Sequence, residues 1–390
     1  MKDYSKFSII VLINILVIFM SFMTGCSLFQ DNYKSFYLDS VPKSEDKFTM
    51  TPDLTVEHSF FDSIVKDVRS VTLETTDDIL ISRVDAIKLF GDNFLVADYK
   101  EGCVHMFDSA GYHVASIDNR GGGPGEYKRI CGLDIDYVDS IIYILDGDLG
   151  KVQMYSKEMT LIEEVALPVR YADHMCVCGD LLFLDLGFRG VYEDENGDFF
   201  DMIVYDLDKK KVIDKKFRYG SDMNVSFLMK ELSVFSHFED KMYYCRTLGN
   251  EIYSYQDSTL VESIEYDLLG REIPNDILGC DITKALERME EEDYAYVDCF
   301  YEFDNWYYAR ILMSSSAIHY FYDKRTNKGY SDASFVFMTN EDVLLPNLFK
   351  LSDNTCCSYM YSDDYKMLNG SAATTIDYED NPIIKIYYLK

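Results

Sequence analysis

From about residue 80 onward, apolar and polar positions fall into short alternating runs, the period of strands and not of helices. The stretch from Val84 to Ile117 is the most legible. Apolar runs at Val84–Phe90, Phe94–Asp98, Cys103–Asp108 and Tyr112–Ile117 are divided by the turn formers Gly91-Asp92-Asn93, Lys100-Glu101-Gly102 and Ser109-Ala110-Gly111. Four strands joined by tight turns predict one antiparallel meander. The pattern returns at Leu133–Val165, where Asp146 closes the second run as Asp98 does in the first. Further copies span Met175–Asp214, with Asn196-Gly197 marking a tight turn inside an inserted loop, and Ser233–Tyr266.

Meanders repeating every 40 to 50 residues or so bury their faces only by stacking on one another, the signature of a β-propeller. Between Pro274 and Trp306 the alternation stops, and Asp281–Asp293 shows helical spacing with an acidic face. This predicts one helical insertion near residues 274–305, on a blade edge. Strand-like runs resume at Tyr307–Met313, Ile318–Asp323 and Asp353–Met360, and the chain closes on Asn381–Lys390. The module count gives an all-β, six-bladed propeller of four-stranded antiparallel meanders. Its terminal strand is expected to pair with the early strand Ser70–Glu74, closing the ring and removing two exposed sheet edges.

The N-terminus carries a different message. Lys2 and Lys6 precede the apolar run Phe7–Met23, the layout of a secretory signal, and Met23-Thr24-Gly25-Cys26 follows directly. Small residues ahead of a cysteine resemble the bacterial lipobox, in which the cysteine is acylated and becomes the new N-terminus. On this reading residues 1–25 are a lipoprotein signal peptide and Cys26 is the lipidation site. Residues 26–60, with Pro42 and Pro52 and little periodicity, form a lipidated polar tether, and 61–390 form the propeller. Two or three acyl chains, palmitate among them, anchor stably to a lipid membrane. The expected location is the cell envelope, at the outer membrane, with periplasmic and outward faces both open. The alternative is an uncleaved anchor, because the apolar run approaches the roughly 20 residues of a bilayer span.

Composition narrows the partners. A net charge of -31 repels phosphate backbones, and no basic stripe with interleaved aromatics offsets it, which excludes nucleic acid. The 32 Tyr and 25 Phe against 7 Pro suit a strand-rich core. Ten cysteines, one of them Cys26, leave an odd set that excludes a complete disulfide framework.

The run Arg120-Gly121-Gly122-Gly123-Pro124-Gly125-Glu126-Tyr127 invites a phosphate-binding reading. A phosphate loop needs Gly-Lys-Ser/Thr opening a helix, whereas this run leads into another strand. It is read as a structural turn between blades, with glycines supplying positive φ and Glu126 accepting backbone hydrogen bonds. The functional alternative places Arg120 and Glu126 at the mouth of the central channel.

These residues together support a family resemblance. Val71–Ile81, the strand Phe94–Asp98, Phe107–Gly111, the turn Gly121–Tyr127 and the closing Asn381–Ile384 resemble the six-bladed β-propeller lipoproteins of Bacteroidetes. The likeness covers most of the chain and weakens across residues 215–310. It implies the fold and an envelope location; it implies no reaction, so no catalytic residue is carried over.

No catalytic constellation emerges from the residues. Six histidines lack His-Glu-x-x-His spacing, and Gly-x-Ser-x-Gly is absent. Cys176 and Cys178 point to one face of a strand and, with His174, suggest soft metal ligands, but they are read as core packing because no further histidine or cysteine nearby completes a set. The acidic segment Glu193–Asp198 looks like a calcium loop but lacks the first and twelfth EF-hand ligands, so it is read as a hairpin loop. The expected function is a membrane-tethered protein whose propeller face binds a glycan, peptide or envelope protein, without catalysis or cofactor. The alternative is a lactonase- or lyase-like hydrolase holding a divalent cation such as calcium in the channel. That reading requires at least three carboxylate or amide groups to converge near the axis.

Overall fold

The computed structural model describes residues 40–55, 60–187, 192–219, 232–274, 277, 282–313, 316–333, 347–364 and 380–390. The apolar N-terminal run, Cys26 and the first part of the expected tether lie outside the described residues. Two strands precede the repeats, β1 (Lys43–Met50) and β2 (Val65–Thr72), with a one-turn helix α1 (Phe61–Ile64) between them. Blade 1 comprises β3 (Ala86–Phe90), β4 (Asn93–Asp98), β5 (Cys103–Phe107) and β6 (His113–Ile117). Blade 2 comprises β7 (Ile130–Asp136), β8 (Ile141–Asp146), β9 (Lys151–Tyr155) and β10 (Leu161–Ala166). Blade 3 comprises β11 (His174–Cys178), β12 (Leu181–Asp185), β13 (Phe199–Asp206) and β14 (Lys211–Tyr219). Blade 4 comprises β15 (Phe235–Phe238), β16 (Lys241–Cys245), β17 (Glu251–Gln256) and β18 (Thr259–Tyr266). After helix α2 (Ile282–Glu291), blade 5 comprises β19 (Ala295–Glu302), β20 (Trp306–Met313), β21 (Ala317–Asp323) and β22 (Lys328–Ala333). Blade 6 is built from β23 (Phe349–Ser352), β24 (Thr355–Met360) and β25 (Ile383–Leu389), completed by β2.

The six sheets form an all-β, six-bladed propeller. The first strands β3, β7, β11 and β15 touch one another in turn, β15 touches β19, and β23 returns to β3, so the first strand of each blade lines the axis. Ring closure follows the expected pairing: β2 lies antiparallel to β25, with Ser70 opposite Lys385 and Val71 opposite Ile384. The first and last segments of the propeller thus share one sheet.

Apolar clusters fill the gaps between blades. Leu95, Val104 and Ile117 of blade 1 pack on Ile130, Ile142 and Tyr155 of blade 2. Tyr143, Leu145 and Val152 of blade 2 meet Val177, Leu184 and Ile203 of blade 3. Phe183 and Val204 of blade 3 meet Phe235 and Tyr244 of blade 4. Tyr243 and Ile264 of blade 4 meet Val297 and Ile311 of blade 5. One larger cluster joins blades 5, 6 and 1 through Tyr308, Ile384 and Val96. Burying a side chain of this size contributes about 1.5–3 kcal/mol, so stacking of blades, not strand propensity, supplies most of the stability.

A repeated aspartate fixes where blades 1 and 2 begin. Asp98, at the end of β4 and fully buried, accepts hydrogen bonds from the N–H groups of Ser82 (2.7 Å) and Arg83 (2.9 Å) ahead of β3 and of Glu101 (2.8 Å) in its own turn. Asp146 does the same at the end of β8, accepting from Lys128 (2.8 Å), Asp148 (3.0 Å) and Leu149 (3.0 Å). At the ring closure the buried Asn381 accepts from Ile81 N–H (2.8 Å) and donates to Glu74 O and Ile79 O (both 2.8 Å).

Two expectations on extent are corrected. Within the expected tether, 26–60, Lys43–Met50 is a strand, paired in parallel with β18 as a fifth strand of blade 4. Lys47 explains the pairing, because its ammonium lies between the carboxylates of Glu262 and Glu265 of β18, and Met50 is buried at the end of the strand. This added strand covers an otherwise open sheet edge. The helical insertion also ends earlier than 305: α2 stops at Glu291, and Ala295–Glu302 is the axial strand of blade 5. Its aromatic run is interrupted by Asp298, which hid the strand; that carboxylate is paired inside the blade with Arg310.

Candidate functional site

The six axial strands surround a cavity of about 370 Å3 on the propeller axis, within the usual range of ligand pockets. Blade 1 contributes Asp85, Lys88 and Tyr99; blade 2, Leu133 and Tyr137; blade 3, His174 and Met175. Blade 4 contributes Phe235 to Glu239, blade 5 Tyr301, and blade 6 Phe349 to Asp353. Aromatic rings therefore alternate around the wall with carboxylates, hydroxyls and two lysines. The alternation arises because axial strands pass from one blade interface to the next, so that some side chains enter the apolar stacks while others face the axis.

Both lysines of the cavity wall are paired with carboxylates. Lys88 of β3 donates to Asp134 Oδ1 of β7 at 2.7 Å, and Val177 N–H of β11 donates to Asp134 Oδ2 at 2.8 Å. One buried carboxylate thus ties three blades together. Burial works against ionisation of Asp134, yet Lys88 and then His237 outweigh it and hold the carboxyl well below the usual carboxylate range. Lys350 of β23 donates to Asp353 Oδ1 (2.8 Å) and to the backbone oxygen of His237 (2.6 Å) and lies over the rings of Phe238 and Phe303. Burial pulls its ammonium below the ordinary lysine value, with Asp353 acting in the opposite sense.

A second cluster sits between the axial strands of blades 3 and 4. Sγ of Cys176, Sγ of Cys178 and a ring nitrogen of His237 all lie within 4.8 Å of one another. Cys176 Sγ is 2.9 Å from His237 Nε2, which is 3.6 Å from Asp134 Oδ2. The two cysteines share a face of β11, as their spacing predicts. The third donor is not His174, which sits at the far end of β11 opposite Asp185, but His237, which comes from a different blade. A partner 59 residues or more away along the chain leaves no local sequence signal. Among the described residues this is the group of His, Cys, Asp and Glu side chains with metal-ligand proximity, and no trio of carboxylates converges in that way.

The glycine-rich run is a turn between the outer strand of blade 1 and the axial strand of blade 2. Gly121 N–H donates to Tyr127 O (2.8 Å) and Tyr127 N–H to Asn119 O (3.0 Å), closing a narrow loop around Gly123, Pro124 and Gly125. Glu126 Oε2 accepts from Gly123 N–H (2.8 Å), and Gly125 has φ +77°. A Cβ on Gly121 would meet Glu126 Oε2 at 1.9 Å, so that carboxylate occupies the space a side chain would need. Tyr127 is fully buried, and its hydroxyl donates to Gly102 O (2.8 Å) while accepting from Asn119 N–H (3.1 Å). Arg120 lies near Glu101 and Asp118 on the outer surface, and Arg120 and Glu126 border a depression shared with Leu161 of the outer strand β10. They do not line the axial cavity.

The acidic hairpin loop is likewise structural. Asp194 accepts from Asn196 N–H (2.9 Å) and Asp198 N–H (3.1 Å) and pairs with Lys215 (2.6 Å), while Asp198 pairs with Arg218 (3.0 Å). Lys215 and Arg218 of β14 thus balance the charge of these two carboxylates.

Comparison with known proteins agrees on the fold and offers no reaction. A protein from Bacteroides fragilis NCTC 9343, described as exported, superposes with a TM-score of 0.74 at 19% identity, over 88% of this chain and 99% of that one. A member of the duf4221 family from Bacteroides vulgatus ATCC 8482 superposes with a TM-score of 0.52 at 9% identity, over 84% and 97% of the two chains. No curated protein matches. The family model described as "Domain of unknown function (DUF4934)" matches residues 55–388, nearly the whole propeller, and the chain belongs to that family.

Proposed function

We propose that this protein is a lipid-anchored binding protein of the cell envelope, tethered through Cys26 at the outer membrane, which takes the end of a glycan chain into its axial cavity without chemically altering it. The carrying observation is the lining of that cavity. Tyr99, Tyr137, Phe235 and Phe238 line it with aromatic rings, of which Tyr137 is the most exposed, and Asp85, Glu239, Asp353, Ser236 and Ser352 place hydrogen-bonding groups among them. Sugar rings present the complementary pair, one C–H face for stacking and an equatorial belt of hydroxyls. The volume of about 370 Å3 suits one or two rings and is too confined for the broad contact a folded protein partner requires. Tyr137 is 57% exposed although it borders the cavity, which puts a stacking surface at the entrance.

The envelope location is supported by the Lys2–Cys26 segment, with its basic start, apolar run and lipobox-like end, and by the similarity to a Bacteroides protein described as exported. Among the described residues no helix is long and apolar enough to cross a membrane. The hydrolase reading calls for oxygen ligands gathered close together on the axis, and among the described residues no three carboxylates come to metal-ligand proximity of one another.

Two measurements test the proposal. Metabolic labelling with a palmitate analogue should label the wild-type chain and not Cys26→Ala. A glycan array probed with the purified protein should return a set of related oligosaccharides that remain intact after incubation. An array without hits, together with enrichment of one peptide class from a displayed library, would replace the glycan with a peptide ligand; cleavage of a bound sugar would replace binding with catalysis.

A further inference from the structure

We infer that Cys176, Cys178 and His237 form a binding site for one thiophilic transition-metal ion, zinc in the first instance, set between the axial strands of blades 3 and 4 with its fourth coordination position toward the cavity. The donors come together because of three features of the fold. Residues two apart on a strand face the same way, so Cys176 and Cys178 both point from β11 toward blade 4. The β11–β12 hairpin turns at Gly179-Asp180 immediately after Cys178, with Gly179 at φ +57°, which leaves that thiol half-exposed at the strand end while Cys176 is buried. His237 stands on β15 directly across the interface, its backbone oxygen fixed by Lys350 and its side chain one-third exposed to the cavity.

The donor chemistry and spacing suit zinc. Two thiolates and one neutral imidazole at about 2.3 Å and 2.0 Å from a tetrahedral ion would be separated by roughly 3.5–3.8 Å. The three donors already lie within 4.8 Å of one another, with Cys176 Sγ and His237 Nε2 at 2.9 Å, so small side-chain adjustments bring them to ligand spacing. Three protein ligands with one open position is the arrangement of zinc sites that also hold a water or ligand atom. Such an ion would lie at the wall of the proposed ligand cavity. The inference does not depend on what that cavity binds, because the two thiols and the imidazole suffice to hold the ion. Binding releases the two thiol protons, together with any proton that His237 holds toward Asp134, and the two thiolates balance the charge of the divalent cation.

The test is titration of the full chain, purified in detergent under a phosphine reductant and stripped of metal, with Zn2+ against a chromophoric chelator and separately with Co2+. Expected are one high-affinity equivalent per chain, a sulfur-to-cobalt charge-transfer band in the near ultraviolet and visible bands of tetrahedral intensity. His237→Gln and Cys178→Ser should each lower affinity by about 100-fold or more. Both residues are partly exposed, so these variants should keep the wild-type circular dichroism in the metal-free state, which separates loss of the ion from loss of the fold. The inference is overturned if no charge-transfer band forms, or if the band and affinity persist in His237→Gln, which would place the ion on other cysteines.

Discussion

Replacing Asn381 tests ring closure at its tightest point. Its side chain makes three hydrogen bonds of 2.8 Å, one accepted from Ile81 N–H and two donated to the carbonyls of Glu74 and Ile79, and the residue is 2% exposed. Asn381→Ala leaves one N–H and two carbonyls without these partners in a buried place. At about 1–3 kcal/mol for each buried group left unsatisfied, and less where water enters the space vacated, the loss should be about 3 kcal/mol. Asn381→Asp keeps the acceptor for Ile81 but sets a carboxylate against two carbonyl oxygens, so it should be no milder. With an unfolding entropy near 2.1 cal/mol/K per residue over about 330 residues, 3 kcal/mol corresponds to a melting temperature lower by roughly 4 °C. Equilibrium urea unfolding followed by tyrosine fluorescence and far-ultraviolet circular dichroism gives the value directly, provided the two transitions coincide. A change below about 0.5 kcal/mol for Asn381→Ala would refute the claim that this amide holds the first and last segments of the propeller together.

Three further perturbations probe other parts of the account. Asp298→Ala removes the carboxylate from the buried Arg310 guanidinium, leaving it Asn347 but no opposite charge from Asp298, and should destabilise by about 3 kcal/mol, whereas replacing both residues with apolar side chains should recover much of that; urea midpoints of the single and double variants decide it. Gly121→Ala moves the exposed Glu126 carboxylate off the Gly123 N–H and should cost no more than about 1 kcal/mol in thermal or urea unfolding, without altering ligand affinity; an affinity loss would reinstate the turn as a functional element. Burial raises the Asp332 carboxyl to about 6, against the two N–H bonds it accepts from Phe60 and Phe61. The folded protein therefore holds a proton between about pH 4 and 6 that the unfolded chain releases, so this group's contribution to stability falls as pH rises through that window. Asp332→Asn should remove the effect: its stability relative to wild type should be higher at pH 7 than at pH 4.5, and a difference independent of pH would contradict the assignment.

How far the fold could be read from residues alone depended on how local the signal was. Blades 1 and 2 were legible because their strands alternate, their turns carry Gly and Asp at fixed places, and Asp98 and Asp146 recur at the same point of the module. Closure was legible for the same reason, since Ser70 and Ile384 belong to strong strand-like runs at the two ends. The axial strand Ala295–Glu302 was obscured because Asp298 and Glu302 read as surface polarity, when one is paired with Arg310 and the other with Lys324. The strand Lys43–Met50 was read as tether because its charges look solvated, and only the facing Glu262 and Glu265 make them a sheet edge. The site was the least legible part. The glycine-rich run attracts attention in a sequence and proves to be a turn on the outer rim. His237, which joins Cys176 and Cys178, is an ordinary histidine until blade 4 is set against blade 3.

The most direct test of the central claim, that the axial cavity is the working site, is isothermal titration of the oligosaccharide selected by array into wild type, Tyr137→Ala and Ile162→Ser. Tyr137 borders the cavity and is exposed, whereas Ile162 is exposed on the outer strand of blade 2. At about 1–3 kcal/mol for truncating an aromatic contact residue, affinity should fall roughly 5- to 150-fold in Tyr137→Ala and stay unchanged in Ile162→Ser. Equal affinity in all three proteins would contradict the account and move the binding surface away from the axis.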